Sequence, residues 1–182
     1  MSAVGIDAGG WAALARRIPS PNCDARPPDA RVELVVVHSI SLPPGEFGGD
    51  AITDLFLNRL DWNAHPYYAG IRGLRVSAHF LVRRDGELLQ FVSCLQRAWH
   101  AGASRWRGRD RCNDFSIGVE LEGTDAMPFA DVQYDVLAAL IGGMRERYPI
   151  DDIAGHCDIA PGRKTDPGPC FDWARLRRRV AV

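Results

Sequence analysis

The segment "RVELVVVHSI", residues 31–40, contains a short continuous apolar run that is rich in valine. Such a run is typical of a β-strand buried on both faces, because a strand with one face in water alternates apolar and polar residues. A strand of this kind has to lie inside a sheet that is covered by other structure. His38 lies at the end of this run.

The pattern along the rest of the chain predicts an α/β (α+β) fold, with a central mixed sheet and helices packed on it. Helical spacing predicts helices over residues 11–18, 51–60 with Asp50 as the N-cap, 130–148 and 171–182. Asp85-Gly86, flanked by two apolar runs, predicts a hairpin within residues 76–92, and residues 115–123 read as a second buried strand. Residues 61–73 and 96–114 are predicted to be irregular.

Length and composition restrict the classes of protein that are possible. A length of 182 residues fits one domain, residues 1–182. The net charge of -1 argues against nucleic acid as a partner, and we expect a monomer. No segment is long and apolar enough to cross a membrane, and the first residues show no export signal, so we expect a cytoplasmic protein. The five cysteines contain no C-x-x-C pair, which argues against a disulfide framework.

Three potential metal ligands lie in separate elements: His38, His156 and Asp166. Two histidines and one carboxylate are a known ligand set for a catalytic zinc ion with an open fourth position. Residues 38 and 156 are far apart, however, and no compact ligand motif links them. A histidine at the end of a strand is also often a hydrogen-bonded structural residue, so the residues alone leave both interpretations open.

Lys164 is the only lysine among 22 basic residues. A compact ammonium that acts as a point charge is not replaced by a planar guanidinium, so this lysine is a candidate for chemistry. Alternation along residues 115–123 places Gly118, Glu120 and Glu122 on one face of the predicted strand. Either carboxylate could serve as a general base.

Five blocks, spread from about residue 11 to about residue 176, resemble the cytosolic zinc N-acetylmuramoyl-L-alanine amidases of bacterial cell-wall recycling. They are "VVVHSISLPPGEFGG", "NAHPYYAGIRGLRVSAHFLVRRDGE", "RAWHAG", "RCNDFSIGVELEGTD" and "GHCDIAPGRKTDPGPCFDW". The resemblance implies one Zn²⁺ per chain, held by His38, His156 and Asp166. It also implies Glu120 and Lys164 as the catalytic pair, which leaves Glu122 as a hydrogen-bonding residue.

The chemistry of amide hydrolysis agrees with these roles, because it requires an activated water, a proton carrier and positive charge near the oxyanion. The implied substrate is a small muropeptide that contains 1,6-anhydro-N-acetylmuramic acid, and its cleavage lowers the signal that induces chromosomal β-lactamase. The resemblance places Trp99 near the sugar, and Arg75 and Arg111 near the carboxylates of the stem peptide.

Two other functions compete with this hypothesis. A non-catalytic peptidoglycan-binding module could share the fold, but modules of that kind typically lack a zinc ligand. An exported amidase that acts on intact cell wall would need an export signal. Of the remaining histidines, we expect His79 to be a core residue, His65 to fix a loop, and His100 to line the site or support a ligand.

Overall fold

The computed structural model describes residues 3–180 and shows a six-stranded sheet with helices against it. The strands are β1 (Arg16–Arg17), β2 (Cys23–Ala25), β3 (Leu34–Ile40), β4 (Phe80–Val82), β5 (Leu88–Gln90), β6 (Gln96–Ala98), β7 (Arg105–Trp106), β8 (Arg109–Asp110), β9 (Ser116–Glu122) and β10 (Asp152–Gly155). The helices are α1 (Ala51–Phe56), α2 (Pro66–Gly70), α3 (Asp131–Arg147), α4 (His156–Ile159) and α5 (Trp173–Val180), with a 3-10 turn at Cys112–Asp114.

The main sheet has the strand order β1-β5-β4-β9-β3-β10. The β4 and β5 strands pair antiparallel, and every other neighbouring pair is parallel. The predicted mixed sheet is therefore confirmed. The two seven-residue strands, β3 and β9, lie side by side near its centre, and their register places His38 opposite Glu120.

The valine-rich strand β3 is buried on both faces, as its sequence predicts. Val35 and Val37 belong to an apolar cluster that includes the inward side chains of α3. Leu34 and Val36 point the other way, into a second cluster that contains Ile159 of α4. The central strands are thus held between two apolar layers, and this packing sets the position of the polar residues at their carboxyl ends.

The two long helices lie against each other on one side of the sheet. The predicted long helix is confirmed as α3, and Arg145 and Arg147 lie in its last turn, where positive charge complements the helix dipole. The hydroxyl of Tyr134 accepts a hydrogen bond of 2.8 Å from the backbone N–H of Asp172, just before α5. Arg179 of α5 pairs with Asp135 of α3 at 2.6 Å.

The hairpin predicted around Asp85-Gly86 is confirmed by the pairing of β4 with β5. Gly86 has a φ of +90°, a conformation that glycine adopts without steric cost. The first predicted helix after the valine strand is also confirmed as α1, but it ends at Phe56 instead of residue 60. Asp50 is its N-cap, although its side chain makes no capping hydrogen bond.

The predicted helix over residues 11–18 is wrong. This segment forms a turn followed by β1, which pairs with β5 at the edge of the main sheet. Gln90 holds it there: its side-chain oxygen accepts from the N–H of Ala12 at 2.7 Å, and its backbone oxygen accepts from Ile18 at 2.9 Å. Pairing with a distant strand has overridden the helical propensity of the alanines.

Two segments predicted to be irregular contain short elements. Residues 61–73 include α2, whose N-cap is His65; the ring Nδ1 accepts a hydrogen bond of 3.1 Å from the N–H of Tyr67. Residues 96–114 include β6, the small β7–β8 ladder and the 3-10 turn. These elements are too short to produce a recognisable periodicity.

Within residues 3–180, no helix is both long enough and apolar enough to cross a membrane. All five cysteines carry free thiols, in agreement with the predicted absence of a disulfide framework.

Candidate active site

An open cleft with a volume of about 540 Å³ lies at the carboxyl ends of β3 and β9. One end of the cleft is polar and contains the predicted ligands and both predicted catalytic residues. The lining also includes an apolar wall, made by Leu42, Leu55, Phe56, Ile71, Leu74 and Val76, and Tyr67. The carboxyl ends of parallel strands are the usual place for a site in such a sheet.

The three predicted ligands converge at the polar end of the cleft. The Nδ1 atoms of His38 and His156 are 3.0 Å apart, and each is 3.1 Å from Oδ2 of Asp166. One candidate ligand atom from each residue lies within 4.8 Å of the other two. His38 comes from β3, His156 is the first residue of α4, and Asp166 lies in the loop that follows α4.

Both histidine rings are buried, and each binds a second group on its far side. The Nε2 of His156 is 3.1 Å from the backbone oxygen of Ala101, and the Nε2 of His38 is 2.9 Å from Nδ1 of His100. Burial lowers the pKa of His38 to about 4, so this ring is neutral at neutral pH.

The donor set fits a small divalent cation. Tetrahedral zinc with ligand bonds of about 2.0–2.2 Å keeps its ligand atoms about 3.3 Å apart, close to the separations between these three atoms. A carbonyl oxygen can only accept, so a neutral His156 carries its proton on Nε2 and directs a bare Nδ1 at Asp166. A cation placed between the three atoms would accept the lone pair of His156 Nδ1 and balance the negative charge of the Asp166 carboxylate.

Glu120 extends from β9, directly opposite His38 on the neighbouring strand. The residue lines the cleft and keeps part of its surface exposed, but Oε2 is buried and has no hydrogen-bond partner among the described residues. Burial, together with the negative charge of Asp166, raises the pKa of Glu120 well above its ordinary value, and the positive charge of Lys164 opposes this. A carboxyl group whose pKa is raised in this way is suited to taking up and releasing a proton.

Glu122 points to the same side of β9, but its oxygens are already occupied. Its side chain accepts from the backbone N–H groups of Gly48 at 2.6 Å and Arg84 at 3.1 Å, and it pairs with the guanidinium of Arg83 at 3.4 Å. Only 2% of Glu122 is exposed, and the residue is absent from the lining of the cleft. The structure therefore gives Glu122 the hydrogen-bonding surroundings expected of a structural residue.

Lys164 and Asp166 both line the cleft from the loop after α4. The backbone of this loop is tied down at both ends: the N–H of Lys164 bonds to the oxygen of Ala160 at 3.1 Å, and the oxygen of Asp166 accepts from Cys157 at 2.9 Å. The positive charge of Lys164 lowers the pKa of His38 as well as that of Glu120. Its ammonium group therefore acts electrostatically on the polar end of the cleft.

Arg75, Trp99 and Arg111 are not among the residues that line the cleft. Leu74 and Val76, which flank Arg75, and His100, which follows Trp99, do line it. Arg75 and Arg111 are exposed, and Trp99 is half-buried. Arg111 pairs with Asp114 at 3.2 Å. The roles assigned to these three residues stay predictions.

The other histidines occupy places consistent with the sequence analysis. His79 is fully buried, and its Nδ1 accepts from the N–H of Gly118 at 3.0 Å. His100 both lines the cleft and contacts His38. The apolar wall and Tyr67 were not predicted; the aromatic pair in "HPYYAG" was the available signal for the tyrosine.

Comparison with known proteins identifies the group to which this fold and site belong. The family model described as N-acetylmuramoyl-L-alanine amidase matches residues 28–169. The chain belongs to this family. The match includes all three converging side chains, Glu120 and Lys164, and it confirms the predicted enzyme class.

Individual relatives agree with the family over almost the whole chain. The 1,6-anhydro-N-acetylmuramyl-L-alanine amidase AmpD of Citrobacter freundii is 61% identical over 173 residues, covering 94% of this chain and 92% of the relative. The AmpD of Escherichia coli strain K12 is 59% identical over 174 residues, covering 94% and 95% of the two chains. A crystal structure of a selenomethionine AmpD derivative superposes with a TM-score of 0.94 at 60% identity, covering 96% of this chain and 98% of that one.

A more distant solved structure contains a ligand. It is the amidase AmiD from Escherichia coli, in complex with the substrate anhydro-N-acetylmuramic acid-L-Ala-D-gamma-Glu-L-Lys. Its TM-score is 0.61 at 30% identity, and the match covers 96% of this chain and 65% of that one. The predicted amidase fold is therefore confirmed by both near and distant relatives.

Proposed function

We propose that the chain hydrolyses the amide bond between 1,6-anhydro-N-acetylmuramic acid and the L-alanine of the stem peptide, using one zinc ion. The observation that carries this proposal is the convergence of His38, His156 and Asp166 in the cleft, beside the unpartnered carboxyl oxygen of Glu120. The names of the near relatives, AmpD of two bacteria, support this substrate.

The three converging side chains would hold the metal through two nitrogens and one oxygen. When bound, zinc lowers the pKa of a water from 15.7 to about 7 and polarises the amide carbonyl. The apolar wall from Leu42 to Val76 lines the same cleft and offers apolar surface to a bound substrate. The chain's own residues then perform the proton transfers.

Glu120 accepts a proton from the attacking water as the water oxygen bonds to the carbonyl carbon. It then delivers that proton to the leaving nitrogen as the carbon–nitrogen bond breaks, which releases a free amine and a carboxylic acid. Oε2 of Glu120 is buried and has no hydrogen-bond partner among the described residues, so it is free to take this proton. The ammonium of Lys164 stabilises the negative charge that develops on the carbonyl oxygen.

The test is incubation of the purified protein with anhydro-muropeptide, followed by mass spectrometry of the products. We expect release of the intact stem peptide, loss of activity with a zinc chelator and recovery when zinc is returned. Binding without release, in zinc-loaded protein, would instead favour a non-catalytic module. Activity that survives complete removal of the metal would contradict the proposal.

A further inference from the structure

The stretch His100–Ala101 lies behind both candidate histidine ligands. The ring of His100 contacts Nε2 of His38 at 2.9 Å, and the backbone oxygen of Ala101 contacts Nε2 of His156 at 3.1 Å. Two adjacent residues therefore contact the far sides of both rings. The direction of each hydrogen bond can be worked out from the groups that surround this stretch.

On the His100 side, the direction is set by a chain of groups that ends at a carbonyl. The oxygen of Cys112 can only accept, so the Ser116 hydroxyl, at 2.6 Å, donates its one proton to it. The Ser116 oxygen then accepts from Nε2 of His100 at 3.2 Å. With its proton on Nε2, the neutral His100 ring has a bare Nδ1, which accepts from Nε2–H of His38. The Nδ1 of His38 is thereby left without a proton, facing Asp166.

On the Ala101 side the same result is reached in one step. The backbone oxygen of Ala101 can only accept, so a neutral His156 ring donates Nε2–H to it and has a bare Nδ1. The guanidinium of Arg163 donates to the same oxygen at 2.8 Å and to the oxygen of Ala103 at 2.6 Å, which fixes the position of this segment. Both rings thus present unprotonated Nδ1 atoms to one point.

Other contacts hold the His100 ring in place. The Asn113 side chain accepts from the N–H groups of both His100 and Ala101, at 3.2 and 2.8 Å. The ring packs flat against β9 at Gly118, where an added Cβ would lie 2.4 Å from Cγ of His100. These contacts hold the ring where its two nitrogens meet His38 and Ser116.

We propose that His100 is a positioning residue, which fixes the tautomer and the orientation of His38, while the oxygen of Ala101 does the same for His156. This inference rests on the proposed function, since it assigns a role toward the zinc ion proposed there. His100 touches neither the metal nor the substrate in this role. Together, His100 and the Ala101 oxygen leave one bare nitrogen on each ring for the ion, so that binding does not first require a proton to move.

The test compares two substitutions that each keep half of the ring's hydrogen bonding. His100→Asn places an acceptor oxygen where Nδ1 lies, next to His38; His100→Gln reaches the position of Nε2, next to Ser116. Zinc dissociation constants are measured by competition with a chromophoric chelator. We expect His100→Gln to weaken zinc binding about 10–100-fold, the usual effect of removing a group that hydrogen-bonds to a metal ligand. We expect His100→Asn to keep most of the wild-type affinity.

A spectroscopic readout separates positioning from a general loss of structure. Long-range ¹H–¹⁵N correlation spectra report which ring nitrogen carries the proton. We expect Nε2–H on His38 and on His156 in the wild type, and a mixture of tautomers on His38 in Ser116→Ala, with His156 unchanged. Thermal unfolding of each variant shows that it is folded.

The outcomes distinguish this inference from the proposed function. A wild type that binds no zinc would overturn both. A wild type that binds zinc, together with a His100→Gln variant that binds it equally tightly, would overturn this inference alone. Equal losses in His100→Asn and His100→Gln, with an unchanged His38 tautomer, would also overturn it, since they would indicate a role in packing only.

Discussion

Replacement of Glu120 by Gln is the sharpest test of the proposed mechanism. Glutamine keeps the volume of the side chain and one carbonyl oxygen, but it cannot carry the proton from water to the leaving nitrogen. We expect zinc content and the Michaelis constant to stay close to those of the wild type, because Glu120 is not one of the three converging side chains. Turnover should fall steeply.

The size of the loss follows from the surroundings of the carboxyl group. A general acid–base group contributes about 10²–10⁴-fold, or about 2.7–5.4 kcal/mol of the barrier. Oε2 is buried and has no hydrogen-bond partner among the described residues, so no neighbouring group shares its proton through a hydrogen bond. We therefore expect a loss of about 10³–10⁴-fold in kcat, measured by chromatography of the released peptide under saturating anhydro-muropeptide.

Glu122→Gln is the matched control on the same face of the same strand. Its oxygens bind two backbone N–H groups and Arg83, so the change should lower the free energy of unfolding. Hydrogen bonds to charged groups are each worth about 1.5–3 kcal/mol, and we expect a destabilisation of that size with activity nearly retained. The reasoning fails if Glu120→Gln keeps more than about a tenth of wild-type turnover, or if Glu122→Gln loses as much activity as Glu120→Gln does.

The remaining predictions concern the metal and the charge beside it. Asp166→Ala should leave less than about a tenth of the zinc found in the wild type by elemental analysis, since one of three protein ligands is lost; full occupancy would remove Asp166 from the ligand set. Lys164→Arg should keep its zinc but lower kcat about 10²–10³-fold, the usual effect of removing one oxyanion-stabilising group; unchanged turnover would exclude that role. Gly118→Ala should displace the ring of His100 and weaken zinc binding about 10–100-fold; an unaltered dissociation constant would show that the ring tolerates the methyl group.

The sequence predicted the centre of the molecule well, because local pattern and burial agree there. The valine run and the alternation in residues 115–123 identified β3 and β9, and both are confirmed. Alternation alone left Glu120 and Glu122 equivalent. The structure distinguishes them, since Gly48 and Arg84, which bind Glu122, come from distant loops that no periodicity connects to β9.

The edges of the fold were predicted less well. Residues 11–18 carry alanines at helical spacing, yet Gln90, more than 70 positions away, binds that segment into the sheet. The contact between His100 and His38 could not be predicted from the sequence either. It depends on Ser116 and Gly118 of β9, which contact the His100 ring only in the folded chain. Contacts of this kind depend on the tertiary fold, and residue spacing carries no information about them.

The register of β3 with β9 sets His38 directly across from Glu120, with the backbone ladder of two parallel strands between them. The separation between His38, one of the three candidate ligands, and Glu120 is therefore set by main-chain geometry. To build this site in another protein, a designer would need two adjacent parallel strands in that register. One further segment, equivalent to α4 and the loop after it, would have to supply the counterparts of His156 and Asp166. The apolar wall of the cleft could then be redesigned for other amides while His38 and Glu120 were kept.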